Sequence, residues 1–389
     1  MAGLVVKPRS RIYHGHDWVY FSEVLKTFGN PTDGDVVSLK DGRDRLLGSA
    51  IYNSKSQIVA RRFSRQRQDL DLDFFERRIR QAIGYRERRG VNPRLCRLVW
   101  SESDGIPGVI IDRYGDQVVL QTLTLAMDQR KSLLVEALCK VVSPAAILER
   151  NDAPVRKAEG MELQSGLLYG SDPGPQVINV GGLEFEIDLL RGHKTGFYLD
   201  QVDNYRGVAA YAKGRRILDC FSNQGAFALA CAQAEAKEVR AVEISADAVE
   251  QIRRNAERNK LQLDVQAANV FDYLNELESA GERYDLIILD PPSFTKTKGK
   301  VSDAARGYKE IHLRALKLLS TDGLLATFCC SHHMGRDHFL QVINEAAVDA
   351  KKTLRQLAIY SQSADHPIIS TLPETEYLKG YLFELVPGR

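Results

Sequence analysis

From position 216 onward, short apolar runs and helix-length segments take turns along the chain. Strand-like stretches at 216–220, 238–243, 263–267, 286–289 and 324–329 are separated mostly by helical ones, among them a helix from about 226 and another at 246–259. Strands joined through helices pair in parallel, so the alternation predicts an α/β fold with a doubly wound, mostly parallel sheet and helices on both faces. Such a sheet also fixes where function sits, because ligands bind beyond the carboxyl ends of its strands.

The chain ahead of this region reads differently. Its first 65 or so residues hold short β-type runs broken by turns, as in "GDVVSLKDGRDRLLGSAIYN", which predicts a small barrel or compact sheet with no long helix. At 71–89, Leu72, Phe75, Ile79 and Ile83 fall at helical spacing opposite an arginine-rich face. "GVIIDRYGDQVVLQTLT" then predicts a hairpin turning at Tyr-Gly-Asp, followed by a helix at 131–140. A Gly/Pro-rich stretch, "YGSDPGPQVINVGG", separates this mixed α+β region from the alternating one.

A net charge of +2 conceals an asymmetry of +9 over residues 1–100 against −7 over the remainder, and the basic end suggests a polyanionic partner. No apolar run approaches the roughly 20 residues of a membrane span, and "MAGLVVKPRS" lacks the apolar stretch of a secretory signal. The six cysteines have no paired spacing, which argues for a reducing compartment. The expectation is a cytoplasmic protein with no membrane association.

In "RRILDCFSNQGAFALA" a strand ends near Asp219 and passes through a small-residue loop with Gly225 into a helix, without the G-x-G-x-x-G of dinucleotide enzymes. The next strand ends at Glu243, where a carboxylate can accept both hydroxyls of a ribose. "YDLIILDPPSF" follows: an apolar strand, Asp290, and two prolines whose fixed φ makes the turn rigid. Loop, ribose carboxylate and rigid acidic turn come in the order expected for a methyltransferase that uses S-adenosyl-L-methionine.

The blocks "RGHKTGFYLDQVDNYR", "LDCFSNQGAF", "LDPPSF", "TFCCS" and "ADHPIISTLPETEYLKGYLFEL", with "SESDGIPGVIIDRYGD" further upstream, resemble the PUA-domain-containing bacterial methyltransferases that make 5-methylcytosine in large-subunit (23S) ribosomal RNA. The resemblance runs the whole length. It implies a PUA-type RNA-binding domain at 1–67, a small α+β domain at 70–180 and a Rossmann-like class I methyltransferase domain at 185–389. It also implies cofactor contacts from Lys194, Tyr198, Gln201, Asp219, Phe221, Ser222, Gly225, Glu243 and Asp290. Where the family usually has an acidic residue this chain has Asn269, whose amide oxygen can still accept from an adenine amino group, with Asp272 nearby.

Cytosine carbon-5 is too weak a nucleophile to take a methyl group from a sulfonium directly; a thiolate must first add at carbon-6. Two cysteines compete for that task in "TFCCS". A regular strand sends neighbours to opposite faces, so only one of Cys329 and Cys330 can face the reaction. The family's nucleophile is the cysteine before the serine, which falls on Cys330; Asp290 joins it as a catalytic residue. The nearby histidines His332 and His333 read as surface loop, and without a C-x2-C pair no metal site is expected.

For RNA, the expected contacts are Arg9, Arg11 and His16 around a core-anchoring Trp18, then Arg61 and Arg62, with Ser293 and Phe294 flanking an unstacked target base. Homodimerisation is left open. Two other functions fit the same motifs. One is N-methylation of guanine or adenine, because D-P-P-x-aromatic also serves amino-group methyltransferases that need no cysteine. The other is a non-catalytic RNA-binding assembly factor, for which Asn269 is the only hint.

Overall fold

The computed structural model describes residues 2–192, 195–294 and 301–388. These form two compact units: one of Met1–Ile178, Ile187–Leu199 and Ala364–Thr375, the other of Asn179–Glu186, Asp200–Ser363 and Glu376–Arg389.

The second unit is built on a seven-stranded sheet in the order Asp264–Ala267, Glu238–Glu243, Arg216–Cys220, Tyr284–Leu289, Leu319–Cys329, Lys379–Leu385, Leu354–Ser361. The first five strands run parallel; Lys379–Leu385 is antiparallel to both of its neighbours. Strand order reverses between Arg216–Cys220 and Tyr284–Leu289, with Cys220 opposite Leu289, so the crevice of a doubly wound fold opens there. The strands at 216–220 and 238–243 match their sequence expectation residue for residue: the first buries Ile217 and Leu218, the second buries Val239, Ala241 and Val242 between charged residues. Leu319–Cys329 begins five residues earlier than its apolar core suggests, through a polar stretch that includes Asp322 and Gly323.

Helices Ala226–Gln233, Ala246–Arg258, Val270–Ser279, Val301–Leu318 and Arg336–Asp349 connect these strands. Ser245 caps the second of them by accepting the Ala248 N–H at 3.4 Å. Under the sheet, buried His312 donates from Nδ1 to the Tyr308 carbonyl at 2.6 Å and accepts the Thr327 hydroxyl at Nε2 at 2.8 Å. Burial lowers its pKa to about 4, so the ring is a neutral strut.

In the first unit, a six-stranded sheet in the order Trp18–Val19, Ala60–Ser64, Leu46–Tyr52, Val36–Lys40, Gly3–Val6, Val24–Phe28 carries two 3-10 turns and no long helix, as the turn-rich sequence predicts. A five-stranded sheet contains the hairpin Val109–Tyr114/Gln117–Thr122 and is accompanied by helices Leu72–Arg88 and Lys131–Val142. Asp71 starts the first of these helices by accepting the Phe74 N–H at 2.8 Å; the helix then buries Phe74, Phe75, Ile79 and Ala82.

The same helix buries Arg86, which is 2% exposed. Its guanidinium forks onto Asp104 at 2.7 and 2.8 Å and donates to the carbonyls of Arg97 at 2.7 Å and Asp365 at 2.6 Å. One side chain therefore ties the helix, the Leu95–Trp100 strand and the returning segment Ala364–Thr375 together. Arg86→Met leaves the Asp104 carboxylate buried without its partner, so urea unfolding of this variant should show a loss of about 3–5 kcal/mol. Arg86→Lys should recover little of it, since an ammonium cannot reproduce the planar fork.

Candidate active site

Where the Arg216–Cys220 strand ends, the backbone leaves the common conformations. Phe221 and Asn223 have φ of 65° and 52°, and Gly225 follows at 79° as the residue preceding the helix Ala226–Gln233. Left-handed backbone at two non-glycine residues costs about 1–3 kcal/mol each and is kept only where the surroundings enforce it. Enforcement is visible. Ser222 N–H donates to the Val242 carbonyl at 3.1 Å, Asn223 N–H to Glu243 Oε2 at 3.0 Å, and Asn255 Nδ2 to the Gln224 carbonyl at 3.1 Å. A Cβ on Gly225 would also sit 3.0 Å from Ile252.

Three carboxylates stand at the strand ends. Asp219 is buried; its Oδ2 accepts the Ser222 hydroxyl at 2.5 Å and the Ala228 N–H at 3.1 Å, whereas Oδ1 has no hydrogen-bond partner among the described residues. Burial, reinforced by the charges of Asp290 and Glu243, pushes the Asp219 carboxyl up to about 7. Glu243 accepts three backbone amides, from Asn223, Ile244 and Ser245, at 3.0, 2.9 and 3.0 Å. A carboxylate has about four acceptor positions, so one remains for a hydroxyl. Asp290 receives the Gln201 amide at 3.0 Å, and Gln201 is itself held by Asn204 at 2.6 Å.

Two strands away, Cys329 ends the ladder and Cys330 lies just past it. Cys329 is fully buried with Met334, Phe339 and Tyr381, and burial pushes its thiol up. Cys330 is half-buried. Lys379, paired across the sheet with Cys329, is 3% exposed and donates from Nζ to the Ser331 carbonyl at 2.6 Å.

Of the remaining expected residues, Asn269 is exposed and its oxygen accepts the Phe271 N–H at 2.9 Å, capping the helix Val270–Ser279. Asparagine and aspartate are both among the best helix caps, and an amide oxygen has a second lone pair beyond the one used there. Phe294 packs on Tyr308 with ring centroids 4.7 Å apart, and Ser293 beside it is half-buried. Tyr198 is half-buried in the Ile187–Leu199 segment of the first unit; Lys194 lies outside the described residues.

The expected RNA contacts divide. Arg9 and Arg11 are exposed. His16, Arg61 and Arg62 are instead engaged inside the first unit: His16 with Glu374 at 3.1 Å, Arg61 with Glu102 at 2.7 Å, Arg62 with Asp17 at 2.7 Å. Trp18 donates to the same Glu102 at 2.8 Å while Arg61 stacks over its ring, so this aromatic serves an internal network. Their cationic character suggested phosphate contacts, but their carboxylate partners come from distant sequence positions that a local reading could not supply.

Sequence reasoning passed over Asn204 and Lys379, and named the loop Phe221 to Gly225 without singling out Asn223. Asn223 carries a buried side-chain oxygen with no hydrogen-bond partner among the described residues, a signal only coordinates provide. Lys379 did leave a trace, as the one charge opening the apolar run "KGYLFEL". Among the described residues no three His, Cys, Asp or Glu side chains converge as a metal site, and no helix is long and apolar enough to cross a membrane.

Comparison with known proteins agrees with this geometry. Residues 168–367 match the family model of S-adenosylmethionine-dependent methyltransferases, and residues 7–65 match that of PUA-like domains. A protein of Erwinia tasmaniensis named ribosomal RNA large subunit methyltransferase I is 39% identical over 378 residues, 95% of this chain and 96% of the relative. Its namesake in Aeromonas salmonicida is 38% identical over 387 residues, 97% of each chain. A methyltransferase solved with S-adenosylhomocysteine, 23% identical, superposes with a TM-score of 0.86 over 99% of this chain and 100% of its own, which establishes the shared fold.

The residues present fit S-adenosylmethionine: buried acceptor oxygens on Asp219 and Asn223 without partners among the described residues, and a carboxylate-rich crevice suited to a cation. A positively charged ligand favours ionised Asp219, whose ligand-free carboxyl is about half protonated near pH 7. Binding must therefore tighten as pH rises. Calorimetric titration with S-adenosylmethionine should give a Kd about tenfold lower at pH 8 than at pH 6, and Asp219→Asn should flatten that dependence. Equal affinity at both pH values in the wild type would contradict this account of Asp219.

Proposed function

The chain belongs to the family of S-adenosylmethionine-dependent methyltransferases, and from that premise we propose that it methylates carbon-5 of a cytosine in large-subunit ribosomal RNA, in the cytoplasm, through a transient thioether made by Cys330. The substrate class follows the names of its full-length relatives, and the PUA-like domain gives the chain a module suited to RNA.

What supports the choice of base is the contrast between two adjacent thiols: Cys329 is sealed in the core, whereas Cys330 is half-buried just past the strand end, on the same edge of the sheet as Asp219 and Asp290. The Cys330 thiolate adds to carbon-6, and the electron pair of the 5,6 double bond becomes available at carbon-5. Bound S-adenosylmethionine supplies a methyl group on a sulfonium sulfur. Loss of the carbon-5 proton then regenerates the double bond and expels the Cys330 thiolate. The loop at 221–225 and Glu243 hold the cofactor by backbone and carboxylate contacts. Gln201 fixes Asp290 at the crevice wall, and Phe294, braced on Tyr308, stiffens the far side of the Pro-Pro turn.

RNA approaches the first unit through Arg9, Arg11 and a cleft of about 690 Å³ lined by Arg65, Arg78 and Tyr85 together with the carboxylates Asp17, Glu102 and Asp104. Within it the Nε of Arg78 and the hydroxyl of Ser103 are buried without hydrogen-bond partners among the described residues.

The decisive measurement is methyl transfer to large-subunit RNA, with the modified nucleoside identified by mass spectrometry. Cys330→Ala should lower turnover by at least about a thousandfold, the scale on which removal of a covalent nucleophile acts. Cys329→Ala should stay within about tenfold of wild type while losing stability through the cavity it leaves. A methyl group on a purine nitrogen, retained in Cys330→Ala, would identify an amino-group methyltransferase instead; no transfer in the wild type would favour an assembly factor.

A further inference from the structure

A lysine that is 3% exposed and opens a buried strand calls for an explanation, since an ammonium out of water is costly unless something negative faces it. Among the described residues Lys379 has no carboxylate at ion-pair distance; its one hydrogen bond goes to the carbonyl of Ser331, the residue after Cys330. That bond, at 2.6 Å, holds the ammonium against the turn that carries the half-buried thiol.

We propose that Lys379 is the electrostatic partner of the Cys330 thiolate, a positioning residue whose fixed positive charge stabilises the ionised sulfur before RNA arrives. The inference rests on Cys330 being the nucleophile.

Among the described residues, other charged groups near the turn act against a thiolate or are engaged elsewhere. Asp290 and Glu376 oppose a thiolate, and Arg336 is already engaged with Glu376 at 2.7 Å. The Tyr308 hydroxyl is buried without a hydrogen-bond partner among the described residues, and the His332 ring lies against Tyr377 at 5.4 Å between centroids. Burial pulls Lys379 below the ordinary lysine range, while the negative forms of Cys329, Glu376 and Cys330, in that order, act in the opposite direction. Lysine and thiol are therefore coupled, and each should report on the other.

The test is the pH dependence of iodoacetamide alkylation at Cys330, followed by peptide mass spectrometry in the full chain without RNA. Lys379→Gln keeps a donor for the Ser331 carbonyl but removes the charge; it should raise the thiol pKa by about one unit, slowing alkylation near pH 7 about tenfold. Lys379→Arg should restore most of the rate. The reciprocal reading leaves Lys379 in place: in Cys330→Ser, the Lys379 ammonium signal by nitrogen NMR should titrate lower than in wild type. An unchanged thiol pKa in folded Lys379→Gln, or an unchanged lysine titration in Cys330→Ser, overturns the pairing. Methyl transfer surviving in Cys330→Ala would instead remove the nucleophile assignment, so the two failures are separable.

Discussion

Parallel pairing of Arg216–Cys220 with Tyr284–Leu289, Cys220 opposite Leu289, is the constraint on which the site depends. It brings together two loops that are far apart in sequence: the left-handed turn after Cys220 and the Pro-Pro turn after Asp290. A one-residue slip in that register would exchange the faces of every side chain on one strand and remove Asp219 from the crevice. The apolar runs on both strands make such a slip costly, because Ile217, Leu218, Ile287 and Ile288 are all fully buried. Ordinary core packing thus holds an unusual active-site backbone.

The crevice is built with charge out of balance. Among the described residues, Asp219 is buried with an acceptor oxygen unused and two further carboxylates acting on it, and Lys379 is buried without an ion-pair partner. In a structural core both arrangements would be destabilising. They become intelligible if the missing charges belong to the reaction: a cationic cofactor on the carboxylate side and a thiolate beside the lysine. Positions that break a local rule at a concave strand edge are where function is expected.

Much of this was legible in the sequence, and the reason differs by residue. The strands at 216–220 and 238–243 could be read because short β-type runs alternate there with helix-length segments, and the hairpin at Tyr114–Gly115–Asp116 because its turn chemistry is local. Asp219, Glu243 and Asp290 could be read because strand ends mark the crevice. Non-local pairing was out of reach. Nothing near Arg61 or Arg62 announces that Glu102 and Asp17 neutralise them, and nothing near Asp365 announces that its carbonyl receives Arg86 across 279 positions. Asn269 shows the same limit: its oxygen accepts the Phe271 N–H at the start of a helix, a role its residue type alone does not announce.

The two adjacent cysteines carry this argument to its end. They are chemically identical, and strand alternation says only that they diverge; the family resemblance points to Cys330 without giving a physical reason. Solvation separates them. Cys329 keeps its place in the ladder and its sulfur loses water, so its thiol is pushed up and the nucleophilic form is suppressed. Cys330, one residue later, has left the ladder and remains half-buried beside a lysine fixed on the following carbonyl. The strand therefore acts as a selector: where it stops decides which of two equal thiols meets solvent and charge. Shifting that stop by a single residue would exchange their roles without altering either side chain.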